Sequence, residues 1–264
     1  KHKDKEMYLA MNIQFKDFLS PHESETKIVH IHSEPETIYL EQGRISQYLN
    51  FDFVLEGLTE RKLILKFIKV AVYDEQDTML TYQYRNHNAV GFPGIRTIGN
   101  IEVKEKQMVD IPNPFYQFPI EMKIHHLRFM FTLMDLETRE EFYYGNVIVE
   151  PVVYQQEVKL QVPLRGLMTI LDGHDYYSHH RRFEMSIVRE FTKGKFHSNF
   201  SRYGLDFVLI GPDGNLSDLA DGEHRKNYDF HHQDVKNFYT HETPVYAPGN
   251  GTVVAIVNDL DDLY

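Results

Sequence analysis

The sequence predicts a mainly β protein, and three observations carry that prediction. Apolar residues alternate at period two through LRFMFTLMDLE, with Leu127, Phe129, Phe131 and Leu133 on one face and Met130 and Thr132 on the other. Aromatic and β-branched residues gather in short runs separated by Gly, Pro and Asn. No segment recurs at a fixed longer period, which argues against solenoids and propellers.

Residues 1–26 read as a charged N-terminal extension. Their charges interrupt any apolar run, so the stretch fits neither a signal peptide nor a membrane span, and an exported form would have lost its signal already. Residues 27–157 carry the runs YLNFDFVLEG, LILKFIKVAVYD, TMLTYQY and LRFMFTLMDLE, which predict an N-terminal β-sandwich of the Ig-like kind. Two punctuated stretches, NHNAVGFPGIRTIGN and IPNPFYQFP, are expected as long loops or edge crossings. From Val158 the character changes: eight of the fifteen His follow Gly173. In this second domain, 158–264, MSIVREFTKG is expected as a short helix or an irregular insertion and DFVLI as a strand. GPDGN is expected as a turn, and PVYAPGNGTVVAIV as a strand, a Gly turn and another strand.

Composition narrows the function classes. With 264 residues, 42% of them hydrophobic and 25% charged, the chain can build a sizeable core as one large domain or two ordinary ones. Its 39 Asp and Glu exceed 28 Lys and Arg, leaving a net charge of -11 and no basic excess to displace counterions from phosphates, so nucleic acid is set aside as a partner. There is no Cys. A transition metal would therefore be held by His and carboxylates.

Within HSNFSRYGLDFVLI, His197 precedes Asp206 by eight intervening residues, and Asp206 opens an apolar strand. A carboxylate there either ligates something, caps a turn or pairs with a neighbour such as Arg202, since a bare charge beside apolar groups is costly. Other His and acid groups have plain readings. His30 and His32 share one face of a strand. The doublets His125-His126 and His231-His232 point to opposite sides of an extended chain, His174 and Asp175 border a turn, and Asp259, Asp261 and Asp262 form a solvated turn without the Gly and distal Glu of a calcium loop.

Taken together, DFVLI and ETPVYAPGNGTVVAIV resemble the core of the lysostaphin-type, LytM-like zinc metallopeptidases, and the upstream VPLRGLMTILDGHD is similar to the start of family members in which a β-sandwich precedes the peptidase. The resemblance covers about Val158 to Tyr264. It implies an antiparallel β-sheet peptidase domain, zinc as cofactor, peptidoglycan peptides as substrates and an extracytoplasmic location. Asp206 holds the place of the family's ligating Asp. Many members carry the ligating His four residues earlier, where this chain has Arg202; the longer gap of beta-lytic members points to His197 as first choice, with His180 as alternative and His179 behind it. The family's second motif, His-x-His after the PVYAP hairpin, supplies a third ligand and a catalytic His; it does not occur before Tyr264, so catalytic and substrate-binding residues stay unassigned. The expected function is zinc-dependent hydrolysis of peptidoglycan cross-links, with an inactive LytM-like scaffold that binds and regulates another envelope protein as the alternative.

Overall fold

The computed structural model describes residues 24, 27–86, 102–183, 185–196, 198–218, 235–254 and 256. They are mainly β and fall into two compact units. One joins residues up to Tyr154 with Asp175–Arg202; the other joins Gln155–His174 with residues from Tyr203 onward.

The first unit holds three sheets. Strands β1 (Val29–Glu34), β4 (Asp52–Gly57) and β8 (Met108–Pro112) pair in the order β1-β4-β8, all antiparallel. A second sheet runs β11-β10-β5-β6, formed by β5 (Leu63–Tyr73), β6 (Met79–Asn86), β10 (His126–Asp135) and β11 (Glu141–Val149), with β7 (Glu102–Val103) also pairing β5. A third runs β12-β2-β3-β9, formed by β2 (Tyr39–Gln42), β3 (Ser46–Leu49), β9 (Gln117–Pro119) and β12 (Val152–Val153).

The alternating residues of β10 are all buried, as their period predicts, and because β10 lies inside its sheet Met130 and Thr132 are buried on the other face as well. Phe51 and Phe53 of the first sheet's β4 region meet Phe129 and Phe131 of β10 edge to face, with the Phe53 centroid 4.8 Å from Phe129 and 5.0 Å from Phe131. Each such pair contributes about 0.5–1.5 kcal/mol beyond its buried area. IPNPFYQFP crosses between two sheet edges: Pro112 ends β8, and Gln117 opens β9. The turn is held by the fully buried Asn113, whose Oδ1 accepts from Phe115 N at 3.0 Å and whose backbone N donates to Phe51 O at 2.9 Å. NHNAVGFPGIRTIGN lies outside the described residues apart from its first Asn, which ends β6.

MSIVREF forms the short helix α1 (Met185–Phe191). It stops where Gly194, at φ 74°, turns its N–H back onto Arg189 O at 2.8 Å, a left-handed cap that glycine adopts without strain.

The second unit pairs β13 (Met168–Asp172) antiparallel with β14 (Asp206–Leu209). GPDGN is a turn: Gly211 N donates to Asn215 O at 2.9 Å, and Gly214 sits at φ 80°. The expected PVYAPGNGTVV hairpin is absent: the described residues from Pro244 to Val254 contain no strand. Pro244 and Pro248 lack the N–H that a ladder needs, and Val254 is 92% exposed, with no facing layer among the described residues to hold it extended. Two single hydrogen bonds replace the ladder: Tyr246 N donates to Pro163 O at 2.8 Å, and Gln161 N to Pro248 O at 2.7 Å. No described helix is long and apolar enough to cross a membrane.

Candidate metal-site residues

Asp206 opens β14 as the DFVLI pattern predicts, and each residue of the strand is half-buried. The desolvation argument is therefore softer than for a buried strand, because a half-exposed carboxylate keeps part of its hydration. Its cross-strand partner is Asp172. Two carboxylates on one rung repel unless a cation or donor lies between them. Asp172 directs Oδ1 to the N–H of Gly173 at 2.8 Å. The other end of β14 is tied by Leu209 N donating to Thr240 Oγ1 at 2.9 Å and Ile210 N to Leu167 O at 3.0 Å. The Asp172 pairing was missed by the sequence reading, although TILDGHD carries the same signal as LDFVLI: an acid at the end of an apolar run.

His180 belongs to the first unit, where it is 9% exposed and packs its ring against the exposed His179 with centroids 4.2 Å apart. Its carbonyl accepts from Asn199 Nδ2 at 2.7 Å. His197 lies outside the described residues, as do His231, His232, Asp259, Asp261 and Asp262.

Arg202, at the position where many LytM-like proteins carry a ligating His, has a structural role. Its Nη2 donates to Asp52 Oδ2 at 2.5 Å, while Arg181 Nη1 donates to Asp52 Oδ1 at 2.5 Å and Arg181 Nη2 to Phe51 O. All three charged side chains are at most 4% exposed. The pairing of Arg202 with Asp206 weighed from sequence is thus replaced by one with Asp52. The signal for it was present in NFDFVLE, where a lone acid sits among apolar residues and must find a cation.

Two more contacts fasten residues 175–202 to the strands of the first unit. Arg189 grips Asp110 through both guanidinium nitrogens, with Nη2 to Oδ1 at 2.7 Å. Burial pushes the Asp110 carboxyl above its usual range, and the Arg189 hydrogen bond and charge pull it partly back. Tyr176 stacks flat on Tyr116 at 4.3 Å and 2°. The Tyr116 hydroxyl is pushed up to about 12, first by burial and then by its hydrogen bond with Tyr177.

Of the remaining His, His30 and His32 stack at 5.2 Å on β1, as their spacing predicts. His125 and His126 differ from expectation. His125 precedes β10, so strand alternation does not separate the two, and their Nδ1 atoms lie 3.2 Å apart, with His126 Nε2 3.4 Å from Asp77 Oδ1.

The donors that resemblance nominates, a strand-opening Asp and imidazoles, are the types zinc accepts, and with no Cys in the chain they are the types available. No protein-family model matches the chain, and no curated protein matches it either. Among solved structures, the one described as "X-ray structure of Northeast Structural Genomics Consortium target SoR45" is similar over 51% of this chain and 95% of its own, with a TM-score of 0.37 and 7% identity. A similarity of that size carries no argument about function.

Proposed function

We propose that the chain combines an N-terminal Ig-like sandwich with a LytM-like domain that acts as a zinc-dependent endopeptidase on peptidoglycan peptides outside the cytoplasm. The observation that supports this reading is local: the stretches that carry the resemblance, QVPLRG, DFVL and PVYAP, gather in one compact unit. There Tyr246 and Gln161 hydrogen-bond across the first and third, and Asp206 opens the second. In the proposal Asp206 and His197 are zinc ligands, with His180 as the alternative imidazole. Bound zinc would supply an acidified water and polarise the scissile carbonyl. The chain's own part is to present the Asp206 carboxylate at the head of β14, whose backbone pairs with β13 on the rung to Asp172 and is tied at its far end by the hydrogen bond from Leu209 N to Thr240.

One observation favours a second reading. Arg202 is committed to Asp52, so the commonest ligand position of the family is unusable here, which suits a zinc-free scaffold that binds another envelope protein.

Native mass spectrometry, with hydrolysis of purified peptidoglycan as companion assay, separates the two. For the peptidase, one zinc per chain is expected, lost in His197→Ala and in Asp206→Ala while the fold is kept. Zinc retained in His197→Ala and lost in His180→Ala would name His180 as the ligand. A chain without zinc and without hydrolysis would leave the scaffold.

A further inference from the structure

The turn between β5 and β6 and the start of β10 bring two imidazoles and a carboxylate together, at a place that no part of the Asp206 reading uses. His125 and His126 present their Nδ1 atoms to each other at 3.2 Å, with ring planes crossing at 86°. His125 is exposed, and water could satisfy its ring as well as His126 does, so hydrogen bonding alone gives little reason for the pair to close. The separation suits a shared ion. An ion about 2.0–2.1 Å from each nitrogen would subtend about 100° between them, close to the tetrahedral angle of a zinc-type site.

Each group is held from behind. The His126 ring lies flat on Tyr73, with centroids 4.8 Å apart and planes 7° apart, and the His125 backbone N–H donates to Tyr73 O at 2.8 Å. His126 Nε2 lies 3.4 Å from Asp77 Oδ1. A carboxylate there favours the ring proton on Nε2 and leaves Nδ1 a lone pair, the carboxylate–histidine pairing that commonly stands behind a metal ligand. Asp77 is itself placed by the turn: its N–H donates to Asp74 O at 3.1 Å, and Asp74 Oδ1 accepts from Gln76 N at 3.0 Å and from Thr78 N at 2.8 Å. Its φ of 60° is a left-handed position where glycine would be unstrained, and Asp there adds the carboxylate.

The protons balance within the pair and its solvent. In the metal-free pair, His126 Nδ1 accepts from His125 Nδ1–H. An ion takes both Nδ1 lone pairs, and the displaced proton moves to Nε2 on the exposed His125 ring. Imidazole ligands select late first-row divalent ions over magnesium, which prefers oxygen, and the net charge of -11 favours the approach of a cation. We infer that His125 and His126 form a bidentate site for a divalent transition ion of the zinc type, with Asp77 as its positioning residue. None of the three is a ligand in the Asp206 reading, so the two stand or fall separately.

The test is an NMR titration of the full chain with zinc chloride, and with magnesium chloride for comparison, read at the imidazole ¹⁵N resonances. Zinc is expected to move Nδ1 of His125 and His126 together while both Nε2 keep their protons, and magnesium to leave them in place. Zinc binding at the pair should weaken at least about tenfold in His125→Ala and in His126→Ala, and about tenfold or more in Asp77→Asn. In Asp206→Ala the shifts at the pair should be unchanged, whatever becomes of the peptidase reading. Zinc shifts confined to other residues, or an equal response to magnesium, would overturn the inference. So would an unchanged affinity in His125→Ala, where an exposed ring is removed and the fold is kept.

Discussion

The two units use similar residues to opposite effect. In the first, the alternating apolar side chains of β5 and β10 face Phe51, Phe53 and Phe118 across a shared core in which most are at most 1% exposed. In the second, β13 and β14 carry Ile170, Leu171, Phe207 and Val208, yet Ile170 is 54% and Leu171 60% exposed, and Leu164 is the one buried hydrophobic residue among the described residues. The contrast teaches that an apolar pattern makes a strand but not a core. A core needs a second layer to receive the pattern, and two strands alone are marginal in water. Hydrogen exchange should therefore separate the units more than any other measurement. Amides of Val70 and Phe131 are expected to exchange at least about 10³-fold more slowly than those of Phe207 and Val208, because the first group opens only with the unit while the second opens locally. Comparable protection in both would break the contrast, and it would mean that β13 and β14 are buried by something beyond their own pairing.

A matched pair of substitutions sharpens the comparison. Asp52 and Asp206 each stand at a strand's first position, but Asp52 is 2% exposed and is shared by two buried guanidinium groups, whereas Asp206 is half-buried. Asp52→Ala leaves Arg181 and Arg202 enclosed without their counter-charge, and it should cost about 3–5 kcal/mol in urea unfolding. The metal-free Asp206→Ala should stay within about 1 kcal/mol of the parent. A cost for Asp52→Ala below about 1 kcal/mol would show that residues 175–202 are held mainly by other contacts, such as the Tyr116–Tyr176 stack.

What was legible in the sequence was local. The strand in LRFMFTLMDL, the helix in MSIVREF and the turn in GPDGN each follow from residues within a few positions of one another, and each is observed. The placement of residues 175–202 was not legible, because it rests on pairings 129 and 150 residues apart, between Arg181, Arg202 and Asp52. Periodicity carries no information at that range; only the rule that a buried charge must be partnered pointed there. The PVYAPGNGTVV stretch shows the converse. Its β-branched and Gly pattern suits a hairpin, but strand formation depends on a neighbour's free edge, and the described residues give it two isolated hydrogen bonds instead. For the candidate site, the position of Asp206 at a strand head was readable, while its partner across the rung, Asp172, required the register.

The smallest expected effect concerns the Arg189–Asp110 pair and is read through pH. Burial raises the Asp110 carboxyl above its unfolded value even with Arg189 in place. A raised carboxyl binds its proton more tightly in the folded state. Its favourable contribution is therefore present below the unfolded value, near 3.9, and is lost as the pH rises through the folded one. Above that point the carboxylate depends on Arg189. Replacing Arg189 by Met keeps the aliphatic stem, removes the cation and drives the carboxyl higher still. The cost of Arg189→Met relative to the parent should thus be small near pH 3, where Asp110 is protonated in both, and should grow to about 1–2 kcal/mol by pH 7, below the full value for a buried pair because its edge reaches solvent. Urea unfolding of the two proteins across that range measures it. A difference that stays flat with pH would assign Arg189's contribution to packing and to its place in the last turn of α1 rather than to the charge of Asp110.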